Sequence, residues 1–202
     1  MAVKPKRQPG RPSTGARERV VAAARDLFLE REYDDVSTEQ ILDRSGVSRG
    51  ALYHHFPTKL DLFRSVYEAS ERGVLERVAA AALDAADPFE ALLLGASAYL
   101  KLAESDEELR RLGLTQSRAV LGWSGWREVA ADLGIGVIRA MVEAAIDAGQ
   151  LKPHDPETTA HILLGALIEA AMLIVVADDP PTARQQSEQV IDDLLRGLRT
   201  QR

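Results

Sequence analysis

The sequence predicts an all-α fold, with a three-helix N-terminal unit containing a helix-turn-helix and a larger helical body behind it. Three observations carry that prediction. Apolar residues recur at helical spacing along most of the chain, and no credible strand pattern interrupts them. Serine, threonine and Asp-Pro signals stand where helices should begin. Two short helices near 38–45 and 48–56 are separated by a tight turn with a glycine, which is the helix-turn-helix signature.

The elements follow in order. Gly10, Pro12 and Gly15 mark a lead-in, and Val20, Val21, Ala24, Leu27 and Phe28 then form one apolar stripe, predicting a helix over 16–31. Ser37 is placed as an N-cap with Gln40 completing a capping box, and Val36 can staple onto Ile41. That helix should stop at Gly46. Ser48 caps the next, Pro57 closes it, and Thr58 with Asp61 caps a fourth. Asp87-Pro88, Asp155-Pro156 and Asp179-Pro180 then divide the remainder into helices near 59–83, 88–104, 106–118, 124–148, 156–178 and 181–199.

Charge separates the front from the back. Residues 1–64 carry 12 Lys+Arg against 9 Asp+Glu, whereas the rest carries 13 against 22, within a chain of net charge −6. The first 19 residues alone hold 6 basic and 1 acidic side chain, so a polyanion is expected to meet only the front part. The chain has no cysteine, which excludes disulfides, thiolate nucleophiles and cysteine zinc sites. The basic start lacks the apolar run of a secretory signal, and Glu169 interrupts the longest apolar stretch, "GALIEAAMLIVVA". A cytoplasmic chain with no membrane partner is therefore expected.

The stretch "SRGALYHHFPTK" raises the question of what two adjacent histidines do. At about 100° per residue, Leu52 and Phe56 share one side of the helix and should point inward. Gly50 and His54 lie opposite, flanked by Ala51 and Tyr53. Small residues allow close approach to a groove, and polar tips can reach base edges or phosphates. Arg49 stands at the helix start, where helix-turn-helix proteins read bases. Thr38 and Lys59 begin the flanking helices, where backbone N–H groups favour phosphate. His55 leans toward the buried side and is assigned at most a phosphate. Metal binding is disfavoured, because neighbouring histidines diverge whereas metal pairs use i, i+4 spacing. No metal or other cofactor is expected, and no nucleophile elbow or comparable catalytic motif is present.

Residues 16–64, with "AARDLF", "STEQIL", "SGVSRGALYHHFPTK" and "DLF" in order, resemble the DNA-binding domain of the tetracycline-repressor (TetR) family. The resemblance implies a DNA-binding domain at 16–62 and a ligand-binding and dimerisation domain at 63–202; the basic arm at 1–15, read from charge alone, exceeds what the family requires. It implies a homodimeric repressor on a palindromic double-stranded operator, with Thr38, Ser48, Arg49, Gly50, Ala51, Tyr53, His54, His55 and Lys59 facing DNA. It also implies a small-molecule effector that favours a conformation unsuited to the operator.

For the dimer interface, the apolar spacing of Leu163, Leu167, Ala170 and Ile174, and of Ile191, Leu194, Leu195 and Leu198, fits a four-helix contact between two copies. The same faces would serve equally to fill the core of one chain. For the effector, the Gly-punctuated joint around 115–128 nominates Gln116, Arg118, Trp123 and Trp126, and the polar interruptions of the 156–178 helix nominate His161 and Glu169 with Met172. Core packing of the tryptophans and a structural role for His161 stand beside that reading. A largely apolar effector is expected. A DNA-binding protein without small-molecule control is the alternative, and an enzyme the third class.

Overall fold

The computed structural model describes residues 15–200. The basic arm expected at 1–15 therefore lies almost wholly outside the described residues. Helices α1 (Ala16–Glu30), α2 (Thr38–Ser45), α3 (Arg49–His55), α4 (Lys59–Ala82), α5 (Pro88–Ser105), α6 (Ser117–Ala130), α7 (Gly136–Asp147), α8 (Pro156–Val176) and α9 (Pro180–Gly197) follow in chain order. A single 3₁₀ turn at Tyr33–Asp35 precedes α2. No strand occurs among the described residues; one isolated bridge pairs Leu151 with Arg199. The chain divides into two compact units, 1–66 and 67–202, with the division inside α4.

In the first unit, α1 packs on α2 and α3. Val20, Phe28, Val36, Ile41, Leu52, Leu62 and Phe63 are fully buried, each stabilising the unit by roughly 1.5–3 kcal/mol through lost apolar contact with water. Phe28, Tyr33 and Phe63 form an aromatic cluster, with ring centroids 5.1 to 5.8 Å apart. On the surface, Arg44 clamps both carboxylate oxygens of Glu30, linking α2 to α1.

In the second unit, α5, α7, α8 and α9 pack on one another around a core of Leu92, Leu100, Leu109, Val142, Ala171, Ile174 and Leu195. Asp87, Asp155 and Asp179 each accept a backbone N–H three residues on, so all three Asp-Pro signals open helices as the sequence implies. The interval 107–147 is more continuous than expected. The helix predicted at 106–118 runs through a π-helical stretch, Leu109–Gln116, into α6, and a second, Ala131–Ile135, joins α6 to α7. The anticipated break near 118–124 is a kink at Gly122, whose φ of 66° suits a residue without Cβ. Arg184 bridges Glu104 and Glu188, and Glu188 also accepts from Ser97 Oγ, tying α9 to α5.

Helix α8 corrects the sequence reading twice. It is long and apolar enough to cross a membrane by length and composition, Glu169 notwithstanding, although much of it packs into the core of the second unit. And five residues nominated for a dimer interface, Leu163, Ala170, Ile174, Ile191 and Leu195, are buried inside the chain, with Leu167 and Leu198 packed against them. Leu194 alone of that set is exposed. The outward apolar positions are instead Ile162, Leu173 and Val176 on α8, and Val190 and Leu194 on α9.

Candidate DNA interface and ligand cavity

The helix-turn-helix is held by local chemistry at each junction. Ser37 Oγ accepts from Gln40 N while Gln40 Oε1 accepts from Ser37 N, at 3.2 and 2.9 Å. Gly46, at φ 62°, ends α2 with its N–H on Leu42 O. Ser48 Oγ accepts from Ala51 N to start α3. Thr58 and Asp61 make a second reciprocal cap ahead of α4.

These junctions fix the roll of α3. Leu52 and Phe56 are 1% and 2% exposed, so the opposite side is committed to solvent. Ser48, Arg49, Gly50, Tyr53, His54 and His55 are exposed, and Ala51 and Thr38 are half-buried. His55 thus departs from its expected lean toward the core; its ring stands 5.3 Å from that of His54, on the surface. A Cβ on Gly50 would meet nothing within 4 Å, so no packing inside the protein calls for glycine there. An exposed helical glycine costs about 1 kcal/mol relative to alanine, and close approach of a partner is a physical reason to accept that cost.

Two cations behave differently from the sequence reading. Arg49 Nη2 donates to Glu39 Oε1 at 2.6 Å, so its guanidinium is already paired. That bond and the backbone N–H of Glu39 itself hold the Glu39 carboxyl below the usual carboxylate range, the backbone bond contributing most. Lys59 was expected to offer its charge to a phosphate. Instead Lys59 Nζ donates to Tyr33 O and Val36 O, at 2.7 and 2.9 Å, and lies 3.9 Å from the Tyr33 ring centroid. The ammonium closes the C-terminal side of the 3₁₀ turn, and its burial there lowers its pKa.

The second unit contains a partly open cavity of about 90 Å³. A single water needs about 10–15 Å³ of such space, so the cavity has room for a compact ligand. Its walls are Val74, Leu75, Val78 and other aliphatic side chains from α4, α5, α7, α8 and α9, with Tyr67, Tyr99 and Trp126 as the aromatic members. Glu71 is the one acidic residue among the described lining residues, and no Lys, Arg or His is among them. Burial pushes the Glu71 carboxyl up to about 7 from an ordinary 4.5. Burial likewise raises the Tyr67 and Tyr99 hydroxyls, with the nearby Glu71 charge adding to it and the Arg118 charge opposing it.

Gly113 makes the space for that carboxyl. A Cβ there would stand 2.9 Å from Glu71 Oε1 and 2.8 Å from Leu109 Cδ1, too close for either to remain in place. The wide π-helical turn carries this glycine and Leu114 into the cavity wall.

Of the seven residues nominated for the effector, Trp126 alone lines the cavity. Arg118 lies over the Trp126 ring, 4.3 Å from its centroid, and Gln116 is buried in the π-helical stretch. Trp123 is 66% exposed. His161 faces outward, with Nε2 3.2 Å from Glu157 Oε1 and Nδ1 3.2 Å from Arg127 Nη2. Glu169 is exposed on the outer side of α8, and Met172 packs against the core. The polar interruptions of α8 mark its water-facing side, not a pocket. The residues that sequence reasoning missed, Tyr67, Glu71 and Tyr99, did leave a signal. Glu71 stands four residues from Tyr67 and from Leu75, an acid placed on an apolar helical stripe.

An exposed helix set on a buried Leu-Phe anchor, in a chain that also carries a helical unit with a partly open cavity, defines a helix-turn-helix regulator. Comparison with known proteins agrees. Residues 89–198, more than half of the chain, match the tetracyclin repressor-like C-terminal domain, and residues 20–66 match the tetR family of bacterial regulatory proteins. A TetR-family transcriptional regulator from Pectobacterium atrosepticum is 31% identical, with a TM-score of 0.79 over 92% of this chain and 94% of that one. The Transposon Tn10 TetC protein of Escherichia coli is 26% identical over 76% of this chain and 77% of its own length. The HTH-type transcriptional repressor BepR of Brucella suis is 36% identical, over 45% of this chain and 44% of its own. RolR in complex with resorcinol shares the fold at 20% identity and a TM-score of 0.71, over 91% of this chain and 87% of that one. The chain belongs to the TetR family of transcriptional regulators.

Proposed function

We propose that this protein is a cytoplasmic, homodimeric, ligand-responsive repressor that binds a palindromic operator through α3 and leaves it when a compact effector fills the cavity. The observation that carries the reading is the outward face of α3. Gly50 and Ala51 there clear space between Arg49, Tyr53 and His54, while Leu52 and Phe56 hold the helix from behind. In the major groove, Arg49 would read guanine and the Ala51 methyl a thymine methyl, with Thr38, Ser48 and His55 on the sugar-phosphate backbone. Lys59 contributes by fixing the turn before α2.

One such module makes few contacts, so two are needed, spaced by a helical turn or a multiple of it. The exposed stripe of Ile162, Leu173 and Val176 on α8, with Val190 and Leu194 on α9, is the surface proposed to pair about a two-fold axis. The cavity favours effector control over a regulator that answers to DNA alone, since a buried carboxyl in apolar surroundings costs stability that a bound ligand can restore. A regulator without enzymatic activity is proposed, in keeping with a family made of transcriptional regulators.

The test is selection of bound sequences from a random double-stranded pool. Recovery of a palindrome with two half-sites, whose affinity falls in Arg49→Ala, supports the reading. Recovery of no consensus overturns it.

A further inference from the structure

We propose that the cavity takes a compact, largely apolar cation whose ammonium nitrogen rests on the Glu71 carboxylate between the Tyr67 and Tyr99 rings. The inference rests on the cavity being the effector site and names the chemistry that site selects.

Four observations point to a cation. Glu71 is half-buried and lines the cavity, and it makes no hydrogen bond or ion pair among the described residues. A buried carboxyl left without a donor is costly, so the group is held in readiness for one that arrives from outside. The space around it is kept by backbone: the wide turn brings Gly113 to a point where any Cβ would meet Glu71 Oε1 at 2.9 Å. Tyr67 on α4 and Tyr99 on α5 line the same cavity near enough for the Glu71 charge to act on their hydroxyls, and phenol rings attract positive charge. And no basic side chain is among the described lining residues, so an anion would find only repulsion from Glu71.

Arg118, on α6, stacks over Trp126 and acts on the two phenols, while burial alone sets the acidity of Glu71. The remaining neighbours from α5, α7, α8 and α9 are apolar, including Leu92, Met141 and Leu167. They supply contact for a small hydrocarbon body and exclude the water that would otherwise compete for the carboxylate. Because the carboxyl titrates near 7, a cation is bound best where the carboxylate is already formed. Affinity therefore rises from pH 6 to pH 8, a range in which an alkylamine stays protonated.

The experiment uses the full chain and three probes of one shape: cyclopentylamine, cyclopentanol and cyclopentanecarboxylate. Dissociation constants are measured by ligand-observed NMR at pH 6 and pH 8. The expected result is an amine bound about tenfold more tightly than the alcohol at pH 8, as a charge-assisted hydrogen bond predicts. The carboxylate should be weakest. The preference should narrow at pH 6 and vanish in Glu71→Gln, while Glu71→Asp keeps it in weakened form. If the alcohol matches the amine, or the preference survives Glu71→Gln, the cation assignment is overturned and the cavity remains an effector site. If none of the three probes binds, the effector reading fails with it. The pH comparison on the unaltered protein decides the point even where a variant does not fold.

Discussion

Arg49 Nη2 and Glu39 Oε1 lie 2.6 Å apart, joining the first turns of α2 and α3 across the turn of the helix-turn-helix. The pair holds the guanidinium at the N-terminal end of α3, but a base edge or phosphate must compete with Glu39 for it. Both side chains are more than half exposed, so the pair is cheap to break. Replacing Glu39 with Gln removes the competitor and one negative charge from the DNA-facing surface. Operator affinity should rise severalfold in fluorescence anisotropy, and Arg49→Ala should lower it by about tenfold or more. A loss of affinity in Glu39→Gln would mean that the carboxylate positions Arg49 for reading.

Lys59 is expected to report on stability more than on DNA. Its two hydrogen bonds to Tyr33 O and Val36 O are worth about 1 kcal/mol each. Lys59→Met should therefore lower the midpoint of thermal unfolding and leave the salt slope of DNA binding close to that of the parent protein. A slope reduced by about one would restore a direct phosphate contact.

Glu71 makes the second unit sensitive to pH in a direction opposite to most carboxylates. Its folded pKa, about 7, lies above the ordinary 4.5. Between those values the folded chain keeps a proton that the unfolded chain has lost, so stability falls as pH rises through this window. Glu71→Gln removes the penalty. At pH 8 the variant should be more stable than the parent by about 3 kcal/mol, and the gap should narrow toward pH 5. Urea unfolding at the two pH values measures it.

The outward faces of α8 and α9 separate a pairing role from a core role. Leu173 is 55% exposed, and Leu163 is buried. Leu173→Glu should give a monomer of 22.1 kDa in place of a dimer of twice that mass, with the helix content unchanged. Leu163→Ala should leave association intact and cost about 2–5 kcal/mol of stability. Light scattering and circular dichroism distinguish the two.

The boundary of what the sequence made legible follows the range of the interactions. The caps at Ser37, Ser48, Thr58, Asp87, Asp155 and Asp179 were readable because donor and acceptor are three residues apart. The inward turn of Leu52 and Phe56 was readable because α3 is amphipathic. Helix α8 is apolar almost all round, so periodicity could not say which side packs within the chain, and Leu163, Ala170 and Ile174, which fitted both a pairing face and a core, are buried within it. The inward fold of Lys59 depends on where a turn 23 to 26 residues earlier comes to rest. Trp123 and His161 drew attention by their chemistry, whereas the cavity was shaped by Gly113 and a widened turn that no local pattern announced.

The widened turns have a consequence for how such a body diversifies. A π-helical stretch is a helix that has absorbed an extra residue without forming a loop. The stretches at Leu109–Gln116 and Ala131–Ile135 both border the cavity through Gly113, Leu114 and Gly134. Gaining or losing one codon in either stretch rotates the wall residues that follow by about a quarter turn. A lineage can thus exchange one occupant for another by insertion and deletion, leaving the scaffold that carries the DNA-reading unit untouched.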